Sequence, residues 1–360
     1  MGEATIYEVA RAAGVSPSTV SNLLNGRSGR MLPETRQRVE EAIARLDYRP
    51  NRAARQLRTG RSGVIGLVVP SVANPFWGTF ARHLEGAALT QDHRLLLCNS
   101  ERDPDRERAY LEELWADGVR DVVLGTSLHD LSHVRPLLDR GLRLVAFDRT
   151  PQPDDHPALV NVSVDNFHGV QLATRHLIEL GHRRVVFVSG SLRSVNRGER
   201  HRGFVETLRA AGLDGGDQAL WAGANAEPFG DLEAAELGRT AARELLGDAA
   251  AGERPTALVA VNDMCALGVC AGVRDLGLRV GADVSVVGFD DIPLADLAWP
   301  ALTTVRQPLR EMAQATFARL APGNGDRRGQ DNRPAANGPD SVTIAPELVV
   351  RASTGPADPA

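Results

Sequence analysis

From Val64 onward, short apolar runs alternate with longer stretches of helical periodicity. Each parallel strand needs a crossover, usually a helix, before the next strand can join the same sheet. The alternation therefore favours parallel β-sheets with helices on both faces. The runs fall into two sets on either side of the LIELGHR connection, which predicts two similar lobes. The first set is VIGLVV, RLLLC, DVVLG, RLVAF and NVSV, and the second is RVVFV, TALVAV and VSVVGF.

Length and composition exclude several classes of protein. The 360 residues are enough for two or three domains, and the 42% apolar share suffices for a core. The sequence has no apolar run of about 18 residues and no secretory signal pattern, so we expect a cytoplasmic protein without a membrane partner. Three cysteines without a CxxC pair argue against a disulfide scaffold or a zinc site. We expect neither a metal nor a cofactor.

Charge is distributed unevenly along the chain. Residues 1–62 contain eleven arginines and six acidic residues, a balance of +5, whereas the whole chain carries −5, so the remainder carries −10. A basic head on an acidic body favours a polyanionic partner for the head. On charge alone, a merely solvated charged face remains the alternative.

The basic head has the pattern of three short helices. The first begins with a capping box formed by Thr5 and Glu8 and ends at Gly14. Ser16 caps a second helix, and a third begins near Pro33. The first two helices and their short connection fit a helix-turn-helix, although an ordinary helical hairpin fits the spacing equally well.

In a helix-turn-helix the second helix enters the major groove with its N-terminus first, so its early side chains must be short or able to bond base edges. Ser16 and Thr19 can bind phosphate near the positive helix end. The candidates for reading bases are Pro17, Ser18, Ser21 and Asn22. The basic balance of the head favours DNA over the plain hairpin.

Polar residues follow the strand runs in the body of the chain. In open parallel sheets ligands bind beyond the carboxyl ends of strands, often between lobes. Asp148, Asn262 and Asp290 could hold ligand hydroxyls, and Phe76 and Trp77 offer flat faces for a sugar or base ring. The alternative is that such loops are polar in any case and that the two aromatics belong to the core.

Enzyme motifs are missing from the sequence: it has no strand-to-helix GxGxxG, no GxxxxGK[ST] and no GxSxG. His182 and His201 fit surface or cap histidines better than catalytic ones. The Asp290-Asp291 pair has no further ligand at metal-binding spacing. We therefore expect no catalytic residue and no metal site.

With these motifs in order, the sequence resembles the LacI/GalR family of bacterial transcription regulators over roughly residues 5–354. The matching segments are YEVARAAGVSPSTVSNLLNG, PETRQRVEEAIARLDYRPNRAARQLRTGRSGVIGLVVP, NPFW, LIELGHRRVVFVSG, ERHRGF, VAVNDMCALGV, DVSVVGFDDIPLA and LTTVRQP. The resemblance implies an α/β protein with an all-α helix-turn-helix head (1–49), a hinge helix and linker (50–62), and an effector-binding and dimerisation core (63–360). The core would resemble a periplasmic binding protein, with lobes at 63–165 plus part of the C-terminal region and at 166–300.

The resemblance also accounts for NRAARQLRTG, residues 51–60, in which Leu57 is the one sizeable apolar residue. In the family the segment matching Pro50–Leu57 forms a hinge helix that pairs with its dimer mate in the minor groove, and the leucine is wedged into the central base step. So short a helix is marginal alone, so we expect it to order only on DNA. The residues expected to contact DNA are Thr5, Tyr7, Ser16, Pro17, Ser18, Thr19, Ser21, Asn22, Asn25, Asn51, Arg52, Ala53 and Leu57.

The family's effector pocket maps onto both lobes. Its expected residues are Phe76, Trp77, Asp148, Asn196, Arg200, Asn262 and Asp290, with Phe229 as an aromatic lid. We expect a homodimeric regulator, a repressor on a pseudo-palindromic operator in double-stranded DNA, controlled by a sugar or nucleoside that closes the lobes. The alternative is a sugar-binding protein acting without DNA, which would need an export signal and no basic head.

Three departures from the family pattern bear on specificity. Asn22 stands where members usually carry arginine, and asparagine favours adenine over guanine. Met31 and Leu32 replace the usual Val-Ser before the third helix, which removes a helix cap. Arg197 and Gly198 differ from the common pattern beside the effector-binding arginine. The operator sequence, the identity of the effector and the sign of its effect therefore stay open.

Overall fold

The computed structural model describes residues 4–24, 29, 31–48, 63–215, 219–222, 231–247, 254–320 and 340–357. The chain divides into two compact units, Met1–Ser62 and Gly63–Ala360. Several predicted features lie outside the described residues, namely the loop expected over 323–340 except for its last residue, and the site residues Asn25, Asn51, Arg52, Ala53, Leu57 and Phe229.

The first unit contains helices α1 (Ile6–Ala13), α2 (Pro17–Leu24) and α3 (Pro33–Arg45). Both halves of the predicted capping box are present, because the Thr5 hydroxyl accepts from the Glu8 N–H and the Glu8 carboxylate accepts from the Thr5 N–H. Gly14 ends α1 in the left-handed conformation, with φ of 66°. Leu32 makes no side-chain cap at α3, as its apolar side chain dictates.

The first lobe of the second unit is built on a six-stranded parallel sheet with the order β11-β5-β4-β3-β1-β2. Its strands are β1 (Val64–Val69), β2 (Arg94–Asn99), β3 (Asp121–Gly125), β4 (Arg143–Phe147), β5 (Val160–Val164) and β11 (Ser341–Ile344). Its helices are α4 (Pro75–Leu89), α5 (Pro104–Ala116), α6 (Arg135–Asp139) and α12 (Leu309–Leu320). Apolar side chains of α4 and α12 pack on one face and those of α5 and α6 on the other.

The second lobe has the same plan, with the sheet order β12-β10-β9-β8-β6-β7. Its strands are β6 (Val185–Val188), β7 (Leu220–Trp221), β8 (Ala257–Ala260), β9 (Ser285–Asp290), β10 (Thr303–Arg306) and β12 (Glu347–Val349). Its helices are α7 (Asn166–Glu179), α8 (Val195–Ala210), α9 (Asp231–Gly247), α10 (Asp263–Asp275) and α11 (Pro293–Leu297). All its pairs are parallel except that of β12 with β10.

The chain crosses between the lobes three times, after β5, after β10 and between β11 and β12. The second sheet therefore continues past residue 300, where the sequence had placed its end. The reason is that β10 and β12 join this sheet. Strand β10 is too polar and strand β12 is too short to give an apolar run.

His182 is buried, with 2% of its surface exposed, so its interpretation as a surface histidine is wrong. The cap interpretation holds for its backbone, because the His182 N–H donates to the Leu177 carbonyl at 3.1 Å at the end of α7. Its Nδ1 lies 2.9 Å from the Thr256 hydroxyl and its Nε2 lies 2.9 Å from the Ser285 hydroxyl. Burial lowers the pKa of this imidazole. His182 thus ties the start of β6 to the strands beside it.

Helices α9 and α10 approach so closely that glycine is required between them. A Cβ added at Gly268 would lie 1.8 Å from the Ala235 carbonyl oxygen, and one at Gly238 would lie 2.1 Å from that of Cys265. Neither distance is compatible with van der Waals contact, and the obstacle is backbone in both cases. The helix pair that covers the second sheet therefore depends on these two positions.

We expect Gly268→Ala to lower the free energy of unfolding of the core by about 2–3 kcal/mol, because the helices must separate to admit the methyl group. Urea denaturation followed by circular dichroism measures the change. The matched control is Gly86→Ala in α4, where an added Cβ meets no described atom within 4 Å; its better helix propensity should raise stability by up to about 1 kcal/mol. Equal losses in both variants would contradict the close approach.

Candidate functional site

The first unit places the predicted base-reading residues on an exposed surface. Val9, Val20 and Val39 are fully buried and hold the three helices together. This packing turns the opposite side of α2 outward, so that Ser18 and Asn22 are exposed. The arrangement satisfies the requirement of a helix that presents short polar side chains to a groove.

Hydroxyl groups concentrate at the start of α2. The Ser16 hydroxyl lies 2.7 Å from that of Ser18 and 2.9 Å from that of Thr19, and it accepts the Thr19 N–H at 3.2 Å. Together with the positive end of the helix, these groups form a surface suited to a phosphate. Tyr7 of α1 is 68% exposed, which leaves its ring and hydroxyl accessible. The Thr5 hydroxyl is already engaged by Glu8.

In the second unit, the carboxyl ends of both sheets face one cleft between the lobes. All seven described residues of the predicted effector pocket line this cleft: Phe76, Trp77, Asp148, Asn196, Arg200, Asn262 and Asp290. They come from the first turn of α4, from the ends of β4, β8 and β9, and from the start of α8. The strand-end rule and the resemblance therefore selected residues that lie together.

Arg200 is the most firmly held side chain of the cleft. Its Nε donates to Asn166 Oδ1 at 2.8 Å and its Nη1 donates to the Val261 carbonyl at 2.7 Å. Its Nη2 lies 3.8 Å from Asp290 Oδ1, and the guanidinium stacks on Phe289 with 3.7 Å to the ring centre. These contacts fix the position of the guanidinium, so a ligand must place its acceptor groups where Arg200 already lies.

Asp290 receives a second donor from the crossover after β10, because Gln307 Nε2 donates to its Oδ1 at 2.8 Å. Behind it lies Asp263, fully buried, whose oxygens accept from the Thr304 hydroxyl at 2.5 Å and the Ile292 N–H at 2.8 Å. Burial, followed by the negative charge of Asp290, raises the pKa of Asp263 well above the ordinary carboxyl value.

Asp148 and Asn196 meet across the cleft. The Asn196 amide donates to the Asp148 carbonyl at 2.7 Å, while Asp148 Oδ1 and Asn196 Oδ1 are enclosed and receive no hydrogen bond within the described structure. Burial raises the pKa of Asp148 to about 6 against the opposing charges of Arg200 and Arg102. Two acceptors without donors, one from each lobe, suit the hydroxyl or amine hydrogens of a ligand.

The aromatic residues belong partly to the core. Phe76 and Trp77 are only 3% and 4% exposed. Trp77 packs edge-on against Phe76, Phe80 and Phe147 with centroid distances of 5.1, 6.3 and 5.9 Å. They therefore form the apolar floor of the cleft, and the core interpretation of these residues also holds.

The side-chain oxygen of Asn262 already accepts a hydrogen bond from the backbone. Its Oδ1 accepts the Cys265 N–H at 2.9 Å and so caps α10. A ligand can therefore use only the Nδ2 donors of this side chain.

The cleft also contains charged residues that sequence reasoning missed. Arg102 and Arg197 line it together with Ser127 and Ser194. Arg102 follows the end of β2, so the strand-end rule would have found it. Arg197 lies on a helix, and the sequence marks it only as a departure from the family pattern, not as a pocket residue.

Features of other protein classes are lacking in the part of the chain that is described. No cluster of three or more His, Cys, Asp or Glu side chains there could hold a metal ion. None of its helices combines the length and the apolar character needed to cross a bilayer.

We expect Asp148→Asn to raise the free energy of unfolding by about 1–2 kcal/mol at pH 7.5, because it removes a charge that burial disfavours. The pKa of Asp148 is about 6 in the folded protein and 3.8 in the unfolded chain. The buried side chain therefore destabilises the fold least below pH 3.8, where it is protonated in both states, and most once the pH has risen through about 6. The gain should therefore shrink towards pH 4. Asparagine tolerates the φ of 61° found at this position.

Urea denaturation of the ligand-free protein at several pH values measures this effect. The control is Asp92→Asn, an exposed aspartate in the same backbone region with φ of 57°. A gain that does not change with pH would show that the charge of Asp148 is not its cause.

Two family profiles match the chain. Residues 5–51 match bacterial regulatory proteins of the lacI family, and residues 174–354 match a periplasmic binding protein-like domain. Among curated relatives, the HTH-type transcriptional regulator DegA of Bacillus subtilis (strain 168) is 32% identical over 98% of this chain and 98% of its own length. Catabolite control protein A of Priestia megaterium is 32% identical over 88% of this chain and 91% of its own.

Solved structures agree with these relatives. The lac repressor dimer bound to operator and an anti-inducer has a TM-score of 0.81 at 27% identity, with 98% of this chain and 100% of that chain covered. The complex of the regulator CelR with cellobiose has a TM-score of 0.65 at 30% identity, with 97% and 99% covered. With its helix-turn-helix unit, its two-lobed core and these relatives, the chain belongs to the LacI family of bacterial regulatory proteins.

Proposed function

We propose that this protein is a cytoplasmic, sequence-specific transcriptional repressor whose affinity for its operator is controlled by a small hydroxylated effector. The observation that carries the proposal is the combination, in one chain, of an exposed polar helix start in a helix-turn-helix and an enclosed polar cleft in a two-lobed core. A sugar-binding protein acting without DNA would need the cleft but not the helix-turn-helix. Binding to operator DNA distinguishes the two functions.

The DNA-binding role rests on charge and exposure in the first unit. Residues 1–62 carry +5, and Ser18 and Asn22 point away from the small apolar core. Phosphate neutralisation by arginines releases counterions, so operator affinity should fall steeply with salt. Asn22 is the residue best suited to discriminate bases, since its amide can bond adenine in a bidentate manner.

The chemistry of the cleft favours a polyol. Asp148 Oδ1 and Asn196 Oδ1 need donors, whereas Arg200 and the Asn262 amide supply donors. A hydroxyl both donates and accepts, so a sugar or the ribose of a nucleoside satisfies groups of both kinds. Related proteins have been solved with cellobiose and with ribose, which supports a sugar as the first choice.

Exposed apolar surface supports a homodimer. Leu96 and Leu97 on the edge strand β2 are 45% and 42% exposed. Leu297 at the end of α11 and Trp299 just after it are 79% and 87% exposed. Apolar side chains on an open sheet edge promote association unless a partner covers them. The lac repressor is a dimer in its operator complex. A two-fold dimer would match a pseudo-palindromic operator.

Coupling between effector and operator requires a cleft that opens and closes. Three hydrogen bonds already join the lobes at the first turns of α8. The Val195 N–H donates to the Ser127 carbonyl at 2.9 Å, the Asn196 amide to the Asp148 carbonyl at 2.7 Å, and the Thr150 hydroxyl to Glu199 Oε1 at 2.8 Å. An effector that strengthens or replaces these bonds would change the spacing of the hinge segments, and a coupling of about 1–3 kcal/mol would alter operator affinity roughly 5- to 150-fold.

An enzymatic function is not supported by the relatives. DegA and the lac repressor are regulators, and no catalytic motif occurs in the sequence. A screen for turnover of a bound sugar would reveal an enzyme.

We expect Asn22→Ala to weaken binding to the specific operator about 5- to 100-fold through loss of a base contact, while the slope of log affinity against log salt stays unchanged. Fluorescence anisotropy with an operator selected from random-sequence DNA measures both. Gln37→Ala, an exposed change on α3, serves as the control and should leave affinity intact. Operator binding that ignores salt in the parent protein would refute the DNA-binding head.

We expect Leu57→Ala to weaken operator binding and to reduce DNA bending, because an alanine is too short to unstack the central base step. Bending is measured by fluorescence resonance energy transfer between the ends of the operator, and effector affinity of the core should not change. Leu276→Ala, at an exposed leucine of the core, is the control. A variant that bends the operator as much as the parent would rule out the wedge.

A further inference from the structure

A second cavity of about 250 Å³ adjoins the effector cleft, near the lower end of the sizes of small-molecule sites. It is called here the side compartment and is formed by Pro70, Arg102, Pro104, Leu128, Arg193 and Arg197. Pro70, Arg102 and Arg197 also line the cleft, so the two spaces are continuous. A ligand held in the cleft can therefore extend into the side compartment.

The side compartment has an excess of positive charge. Its walls include three guanidinium groups and one carboxylate, Glu107. Glu107 is 1% exposed and its Oε2 lies 3.1 Å from His133 Nε2. Arg193 is exposed, and no carboxylate among the described residues pairs with its guanidinium. The walls of the side compartment therefore carry more cationic than anionic side chains.

The arginines are held at the wall by local structure. Arg197 Nη1 donates to the Ser191 carbonyl at 3.2 Å, and its backbone N–H donates to the Ser194 hydroxyl at 3.3 Å. Arg102 has a φ of 61° and follows Glu101 with a φ of 54°, two successive non-glycine residues in the left-handed region. Such a conformation persists only where the surroundings enforce it.

The apolar part of the wall strengthens this attraction. Pro70, Pro104 and Leu128 supply no hydrogen bonds from their side chains, so they reduce the contact of the cavity with water. An anion competes better for guanidinium groups where water is excluded. Arginine also matches the oxygen geometry of phosphate and carboxylate through paired N–H donors.

We propose that the side compartment binds an anionic group of the effector, so that the ligand is a phosphorylated or acidic sugar or nucleoside. Its hydroxyls lie in the cleft with Asp148, Asn196 and Arg200, and its phosphate or carboxylate lies among Arg102, Arg193 and Arg197. The inference rests on the proposed function, because it assigns the chemical class of the effector for the same cleft.

The test uses thermal unfolding of the full-length protein at constant ionic strength. The ligands are inorganic phosphate, D-glucose 6-phosphate, D-gluconate, adenosine monophosphate and uncharged D-glucose. At least one anion should raise the melting temperature in a saturable manner. Arg193→Gln should weaken that binding about tenfold through loss of a charge-assisted contact. The comparison between phosphate and carboxylate ligands, and between sugar and nucleotide, identifies the source of the anion.

The matched control is Arg209→Gln, which removes the same charge at an exposed position near the opposite end of α8. It should leave anion binding unchanged. Saturable binding by none of the anions, or equal binding by the Arg193→Gln variant and the parent, would overturn the proposal. Operator binding by the same preparations separates this failure from failure of the proposed function, since a repressor with an uncharged effector would still bind its operator.

Discussion

The buried guanidinium of Arg200 is the interaction on which the geometry of the core depends. A cation removed from water must be paired and hydrogen-bonded, and the loss of one partner of a buried ion pair costs about 3–5 kcal/mol. The partners of Arg200 come from three different places. Asn166 lies in the first crossover between the lobes, Val261 follows β8, and Asp290 ends β9. One side chain therefore joins a crossover, two strand ends and the cleft.

The same pattern recurs at the second crossover. Gln307 lies between β10 and α12, where the chain returns to the first lobe, and its amide donates to Asp290 at 2.8 Å. Two of the three crossovers are thus bonded directly to residues that line the cleft. A ligand that competes for Arg200 or Asp290 must alter bonds at two of the points where the chain passes between the lobes. This gives a physical route from binding to closure, since hinge motion is absorbed by a few residues at the ends of elements.

The sequence predicted those parts of the structure that depend on local pattern. Seven of the eight apolar runs form buried strands, and the eighth forms the largely exposed edge strand β2, so each run was long enough to be recognised. The Thr5 and Gly14 caps follow from local chemistry within one turn. Strand β10 escaped prediction because three of its four residues are polar and its burial comes from neighbours in the second sheet. Strand β12 escaped because it is only three residues long. His182 was misread for a similar reason, since its partners Thr256 and Ser285 are 74 and 103 residues away.

The effector cleft shows the same division. Asp148, Asn262 and Asp290 could be selected because parallel strands end at a common edge, whereas Asn196 and Arg200 came only from the family resemblance. Asn166 and Gln307 could not be selected from the sequence. Each bonds a cleft residue that is distant in sequence, Arg200 and Asp290 respectively, and no local pattern predicts such contacts. The side compartment depends on Arg193 and Arg197, which are about 90 residues from Arg102 in sequence and line the same cavity only because the two lobes pack together.

Asp148 and Arg149, the two residues that follow β4, both have buried polar atoms but differ in whether the protein satisfies their hydrogen bonds. Arg149 has no exposed surface, and its guanidinium donates to Asp155, Asn161 and the carbonyls of Leu128 and His129. The buried charge of Arg149 is therefore fully hydrogen-bonded within the protein, as expected for a residue that only stabilises the fold. One residue earlier, Asp148 keeps an enclosed oxygen without a donor and has its pKa raised to about 6 by burial. Because nearly all buried polar groups in native proteins are satisfied, this contrast between neighbours marks the Asp148 side chain as one that a ligand completes.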